Sequence, residues 1–590
     1  MPNGPTPSDL AHWPLDWREG CLNQAERLLD HRFRFFRLDD QPFGERIDWH
    51  RDYASGKPVP QQYAGRLDYR DAGRVGDVKV IWELSRMQYL TRLAQAWRWS
   101  GDPRFPREIV SQITDWIDRN PWMMGINWTS PMECALRLLS WTWAFHLIRD
   151  WEGLDDTFCR LLVTSIHQHL RTIDSTYSLF SSANNHLIAE ASGAYIAASY
   201  WSGLKGAMRW RHRARAHLLR ECLRQNSVDG VNEEHTFPYQ GFVWELLVLP
   251  ALVGQAQSDD FPPEYWSRLD RMAEFMAWVT DAAGNTPNVG DQDDGKALDL
   301  GGKADKPVAS LLALAGTLFH RADFLGWAGA RPDEKTAWLT GVLPALSESS
   351  ITCRGSRSFA EGGYHVLRDG STVADEVLML IDVAPNGDAV TGVHGHADAL
   401  SVLLHLGGEP FLADPGTFSY QDTPLRHFFR ATAQHNTLCF GDDDQSEYLN
   451  RFLWGHRAQV ALLDANLSAT GSVIAGRVDW WTGARHERRV ECDLSRTLIQ
   501  ISDRWQGRKP ARLNFTLAPG ITVTATGDRG CRLVGQRAIL DLEWDVGAVE
   551  RQTMPFSRRC YQQETTERIL VHLPGNTGLV LTHCSWQWRA

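Results

Sequence analysis

The chain has 590 residues, a formal net charge of −11, 43% apolar residues and 23% charged residues. That length exceeds one ordinary core and implies two or three domains, and the balanced composition implies no large disordered region. An acidic balance counts against nucleic acid as the main partner, yet it leaves room for an acidic ligand held by local Arg and His. No apolar run approaches the roughly 20 residues that span a bilayer. The start, Met1-Pro2-Asn3-Gly4, lacks a basic and apolar leader pattern. The expectation is a cytoplasmic protein, or a periplasmic or secreted one if a signal was removed. Ten cysteines without a CxxC pair read as reduced thiols, several of them buried. The 26 tryptophans read mainly as packing between helices, with a minority as flat apolar platforms.

To about residue 345 the chain reads as helical. Apolar residues recur at three- and four-residue spacing over 79–100, 104–118, 131–150, 156–173, 184–201, 207–225 and 241–256. Trp82, Leu84, Met87, Leu90, Leu93 and Ala94 form one such stripe. Gly101-Asp102-Pro103 and Asn120-Pro121 are among the breaks. Many antiparallel helices with short connections predict an α/α toroid, although no fixed-period repeat is visible. Near residue 350 the texture changes to short β-like runs: 377–383, 399–406, 459–463, 496–501, 512–517, 521–525 and 569–573. Their Gly, Asp and Asn turns predict an antiparallel β-sandwich. The predicted class is a multidomain α+β protein, with a toroid over 1–345, a sandwich over 346–590 and a linker within 333–350.

Four segments hold the chemically capable residues. Asn184-Asn185-His186 opens a helix, where an Asn serves as N-cap, but two Asn and a His are costly to bury without partners. The polar loop from Asp229 ends in Tyr239 at a helix start, a position where Tyr is usually packing. Next comes His394-Gly395-His396-Ala397-Asp398, whose two imidazoles share a side if the segment is extended. Asp414 and His435 complete the set. His396, Asp414 and His435 suit Zn²⁺, with Mn²⁺ or Ca²⁺ as alternatives, and three unrelated turn residues are the plain alternative. A hairpin through Gly407-Gly408 pairs Asp414 with residues near 401–403, too far from His396 at about 3.3 Å per residue. A shared site therefore requires the chain to bend back at Gly392 and Gly395. Asp291-Gln292-Asp293-Asp294-Gly295 hints at a calcium loop, but Lys296 and Gly302 stand where an EF-hand needs Gly and Glu, so a polar interhelix loop is expected. His405 reads as a satisfied sandwich histidine, and Arg426 and Arg430 either pair locally or meet ligand carboxylates.

These segments together resemble the heparinase II/III family and its alginate-lyase relatives. The resemblance covers most of the chain: Trp82-Glu83-Leu84-Ser85-Arg86, Asn127-Trp128, Met132-Glu133, Arg137, Asn184-Asn185-His186, Pro287-Asn288-Val289-Gly290-Asp291, the 394–398 segment and His435-Asn436-Thr437. It implies a toroid, a sandwich and a cleft between them, and a polysaccharide lyase acting on a uronate glycan by β-elimination. It assigns a charge neutraliser to Asn185 with His186 beside it, the catalytic Tyr to Tyr239 and a catalytic His to His394. It assigns metal ligation to His396, Asp414 and His435. Some relatives carry His directly after the Tyr; here that position is Gln240. Asn184, Glu234, Gln240 and Arg430 are taken as substrate contacts.

Elimination needs these groups because removing the weakly acidic C5 proton of a uronate builds a dianion-like enolate. Donors such as Asn185 and His186 must meet that charge, as in an oxyanion hole. A base takes the proton and an acid protonates the leaving oxygen at C4. His394 titrates near neutrality, whereas Tyr239 begins near pKa 10. Two rivals stand beside this reading. A glycoside hydrolase would use paired carboxylates drawn from Glu233, Glu234, Glu83, Glu133 and Asp293. A non-catalytic glycan-binding protein would bind without turnover. The expected partner is an acidic polysaccharide.

Overall fold

The computed structural model describes the chain except residues 3, 303–304, 344–354, 371, 422, 469–470, 494–495 and 590. Helices dominate up to Thr340 and strands from Arg357 onward. The first part of the predicted linker is the helix Glu334–Thr340, capped by Asp333, and 344–350 lies outside the described residues.

The helical half is an α/α toroid. Arg104–Arg119, Pro131–Ile148, Asp156–Thr176, Asn185–Tyr200 and Ala207–Arg224 follow the predicted segments closely. Segment 79–100 is instead two helices, Val78–Arg86 and Leu90–Ser100, because Met87 turns left-handed at φ 53° and ends the first. Phe237–Gln255 starts at 237 rather than 241, since Pro238 suits a first turn with its preset φ. This 19-residue helix corrects the expectation about membrane-length runs: it is long and apolar enough to cross a bilayer, yet its apolar window is 94% buried within the toroid. Helices Pro263–Val279 and Pro307–Leu318 and the hairpin of Arg32–Phe35 with Leu38–Pro42 were not predicted. Trp116 and Trp141 meet edge to face at 5.3 Å inside this core. The nine described cysteines are free thiols, eight of them buried.

The second half stacks antiparallel sheets of five, eight and four strands. The five-stranded sheet runs in chain order through Arg357–Phe359, Tyr364–Asp369, Val377–Asp382, Val402–Leu406 and Glu409–Leu412. Its strand Val377–Asp382 is buried at every position, which explains an unbroken apolar run. Alternate side chains go to different cores, as the strand period dictates. Val377, Met379 and Ile381 enter the sandwich core, while Leu378 and Leu380 meet Val231, Phe237, Phe275, Val279 and Val289 of the toroid. Each such fully buried side chain stabilises the junction by about 1.5–3 kcal/mol. His405 adds a polar tie, sharing a 2.9 Å hydrogen bond with Asp281 of the helical half. The predicted strand 399–406 begins only at Val402 because the preceding loop folds back across the junction.

Candidate active site

Two helix starts present the toroid's contribution. Asn184 caps Asn185–Tyr200 by accepting the His186 N–H at 3.1 Å, so Asn185 and His186 fall in the first turn. Tyr239 lies in the first turn of Phe237–Gln255. Glu234, just before that helix, accepts the Asn185 backbone N–H at 2.9 Å and holds Asn185 Nδ2 at 3.0 and 2.8 Å from its two oxygens. The Asn185 Oδ1 is buried with no hydrogen-bond partner among the described residues.

The sandwich contributes a loop. His394 adopts a left-handed φ of 67°, so 394–396 is not the extended segment expected. Gly395 follows, where a Cβ would strike the Gly387 backbone, so the tight return of the loop requires glycine. The fold thereby places the His394 ring against Tyr239, stacked at 4.3 Å between centroids and 24° between planes. His394 Nε2 lies 3.7 Å from Glu234 Oε2, which joins Asn185, Glu234, His394 and Tyr239 into one cluster.

Tyr239 Oη donates to Asp293 at 3.2 Å and shares a 3.0 Å hydrogen bond with Tyr420 Oη. Burial first, and then the Asp293 charge, hold the Tyr239 phenol well above its usual pKa. Asp293 is itself held down to about 2: burial opposes this, but Lys79, at 2.6 Å, and Arg86 overcome it. Burial, aided by His394, lowers His186 to about 4, so it is neutral at pH 7. A recess opens beside the cluster, lined by Phe180, Asn184, Arg224 and Glu233 from the toroid and Asp388 and Val390 from the sandwich. Burial pushes the Glu233 carboxyl up to about 7 against the pull of Arg224.

Behind His394 lies a second cluster. His396, Asp398, Asp414 and His435 are all buried, with one ligand atom from each within 4.8 Å of the others. The bend at Gly392 and Gly395 removes the distance problem posed by a plain hairpin. His435 Nδ1 shares a 2.9 Å hydrogen bond with Asp414, and His396 Nε2 a 3.0 Å bond with Asp291. The remaining ring nitrogens, His396 Nδ1 and His435 Nε2, are buried without partners among the described residues. Orphaned acceptors beside two crowded carboxylates are the donor set a divalent cation fits, and the Asp291 bond orients His396 from outside it.

The residues assigned as substrate contacts have partners inside the protein. Gln240 is buried; its amide accepts the Asn232 N–H at 2.8 Å and donates to the Gly230 carbonyl at 2.8 Å, bracing the loop. Arg430 is fully buried over Trp454 and donates to the carbonyls of Gly395 and Asn450. Glu234 is fully buried and links Asn185 to His394. Arg426 takes the structural role, pairing in bidentate fashion with Asp291. The rival carboxylates Glu83 and Glu133 are tied to Arg86 at 2.7 Å.

Sequence reasoning missed Asp291, Tyr420, Lys79 and Asp398 as members of the site and offered Asp293 only as a carboxylate of the hydrolase rival. Asp291 and Asp398 lay inside quoted motifs, so their signal was present; Lys79 and Tyr420 had none, being brought in by packing alone.

A toroid and a sandwich with a polar cluster at their junction define a two-domain architecture. The family model described as heparinase II/III N-terminus matches residues 16–300, and the heparinase II/III-like C-terminal model matches 352–579. The chain belongs to the heparinase II/III family. It is similar to a heparin-sulfate lyase of Pedobacter heparinus, 23% identical over 380 residues, covering 62% of this chain and 52% of that protein. A heparin-sulfate lyase of Bacteroides stercoris is 24% identical over 488 residues, covering 77% and 68%. The chain thus spans about half to two thirds of the length of these curated relatives. Among solved structures, a heparinase III superposes with a TM-score of 0.74 at 16% identity, covering 96% of this chain and 85% of that one, which shows a shared fold.

Proposed function

We propose that this chain is a polysaccharide lyase that cleaves a uronate-containing glycan by β-elimination and leaves an unsaturated uronate end. The observation that carries this reading is the Tyr239–His394 stack at 4.3 Å, which sets a phenol and an imidazole side by side at the domain junction. In this reading His394 is the base for the C5 proton. Tyr239, kept protonated by burial and Asp293, is the acid for the leaving oxygen at C4. Neutral His186 donates a hydrogen bond to the charge that develops on the uronate carboxylate, and Asn185 joins it by turning its amide N–H from Glu234, which holds Nδ2 at 3.0 and 2.8 Å. His396, Asp398, Asp414 and His435 would hold one divalent cation, Zn²⁺ by ligand type; bound there, it would neutralise the buried carboxylates and brace the loop that carries His394.

The names of the two relatives support a sulfated glycosaminoglycan as the first substrate to try, ahead of alginate or a bacterial exopolysaccharide. A panel of uronate polysaccharides, followed by ultraviolet absorbance of the new conjugated double bond, tests the proposal. Reducing ends released without that absorbance would favour a hydrolase, and binding without product would favour a non-catalytic protein.

A further inference from the structure

We infer that Asp291 is a positioning residue that fixes the proton of His394 on Nδ1 and leaves its Nε2 as the free base. The inference rests on the lyase reading for its kinetic consequence, but its structural basis is independent of it.

Asp291 sits in the toroid loop between the helices Pro263–Val279 and Pro307–Leu318 and is fully buried. Its Oδ2 lies 3.0 Å from His394 Nδ1 and its Oδ1 lies 3.0 Å from His396 Nε2. Arg426 grips both oxygens, at 2.5 and 2.6 Å. The Asp291 backbone N–H donates to the His394 carbonyl at 3.0 Å, and its own carbonyl accepts from Thr236 Oγ1 at 2.5 Å. Gly290 permits this approach, at φ 70°, with the His394 carbonyl 3.1 Å from where a Cβ would stand.

A carboxylate only accepts, and a guanidinium only donates and keeps its proton in proteins. Nothing in this arrangement can donate to His394 Nδ1, so Nδ1 must itself be the donor. The neutral ring then has its lone pair on Nε2, on the side of Glu234 and the cleft. The same logic makes His396 donate from Nε2 and turns its basic Nδ1 away from Asp291. One carboxylate thus imposes opposite tautomers on two histidines separated by a single residue. Tyr239 stacks on the His394 ring and makes no hydrogen bond to it, and Glu234 Oε2, 3.7 Å from Nε2, lies beyond hydrogen-bond distance, so Asp291 is the carboxylate that holds the ring's proton.

Asp291→Asn reverses the constraint, since an amide N–H facing Nδ1 favours the proton on Nε2. In a carboxylate–imidazole pair of this kind that exchange costs orders of magnitude in kcat. The expected result is a fall in kcat of at least about 100-fold with KM changed less than about threefold. Because the single variant strands the Arg426 charge, the double variant Asp291→Asn/Arg426→Gln is measured beside it. Imidazole ¹⁵N shifts of labelled histidine, with His394 assigned by its loss in His394→Gln, report the tautomer directly. A wild-type His394 protonated on Nδ1, with the kcat loss in whichever variant folds, supports the inference. A neutral wild-type ring protonated on Nε2, or a folded variant with kcat within about threefold of wild type, overturns it. If neither variant folds, the wild-type spectrum alone decides. Absence of turnover on every uronate would sink the lyase reading, while the tautomer would still decide this one.

Discussion

The two halves hold their site residues by different means. On the toroid, Asn185, His186 and Tyr239 occupy the first turns of two long helices whose other residues are almost all buried. Their positions follow from capping and from the packing of whole helices. On the sandwich, His394, His396 and Asp398 sit on a loop between Val377–Asp382 and Val402–Leu406, held by Asp291, Arg426, Arg430 and the Asp414–His435 pair. A helix start tolerates loss of one side chain because the backbone remains fixed. A loop held by buried polar groups does not, since each lost partner strands another.

The largest expected effect uses the helix side. Tyr239→Phe should lower kcat by about 10²–10⁴-fold while the fold survives with a loss of about 1 kcal/mol, because the hydroxyl and its bonds to Asp293 and Tyr420 are removed but the ring still packs. Substantial residual turnover would remove Tyr239 from its acid role. The loop side should respond in the opposite sense. His396→Ala should lose bound metal in elemental analysis and destabilise the protein by about 3–5 kcal/mol, with activity falling second-hand. Full metal content in the purified variant would break the ligand assignment.

A smaller effect is expected where the halves touch away from the cluster. His405→Ala removes the 2.9 Å bond to Asp281 and leaves that buried carboxylate to Asn285 alone, costing about 1–3 kcal/mol. Denaturant unfolding should show the loss, while kcat per folded molecule stays the same; a fall in kcat would mean that the strut aligns the site. The smallest effect concerns Glu190 on the helix Asn185–Tyr200, whose carboxyl burial pushes up to about 8 despite its bonds to Ser178. An acid raised on folding contributes stability below its unfolded pKa, near 4.5, and loses it as pH rises through about 8. Wild type should therefore melt a few degrees lower at pH 8.5 than at pH 6, and Glu190→Gln should flatten that slope. Parallel slopes in scanning calorimetry would contradict the buried acid.

Periodicity was legible wherever one element satisfied one pattern. The helices from Arg104 to Arg224 were readable because their apolar stripes face a single core. Segment 79–100 was misread as one helix because the stripe continues across Met87, and the break at φ 53° leaves no composition mark. Arg485–Asp493 was passed over because it is rich in charge, although its buried positions alternate cleanly along the strand. At the site, His396, Asp414 and His435 could be grouped by ligand chemistry, whereas Asp398 was not counted with them. Gln240 and Arg430 looked available because polar side chains usually face solvent; their burial depends on backbone carbonyls supplied from elsewhere in the chain.

Residue types and local spacing alone determined a helical half and a strand half, two helix starts bearing Asn, His and Tyr, and a His-rich loop. Those follow from propensity, capping and ligand chemistry, which act over a few residues. Only the tertiary structure decided that Tyr239 stacks on His394, that Asp291 serves two imidazoles at once, and that Lys79 and Tyr420 join the cluster. Contacts between residues more than a hundred positions apart are selected by the packing of one half against the other, and no local pattern encodes that choice.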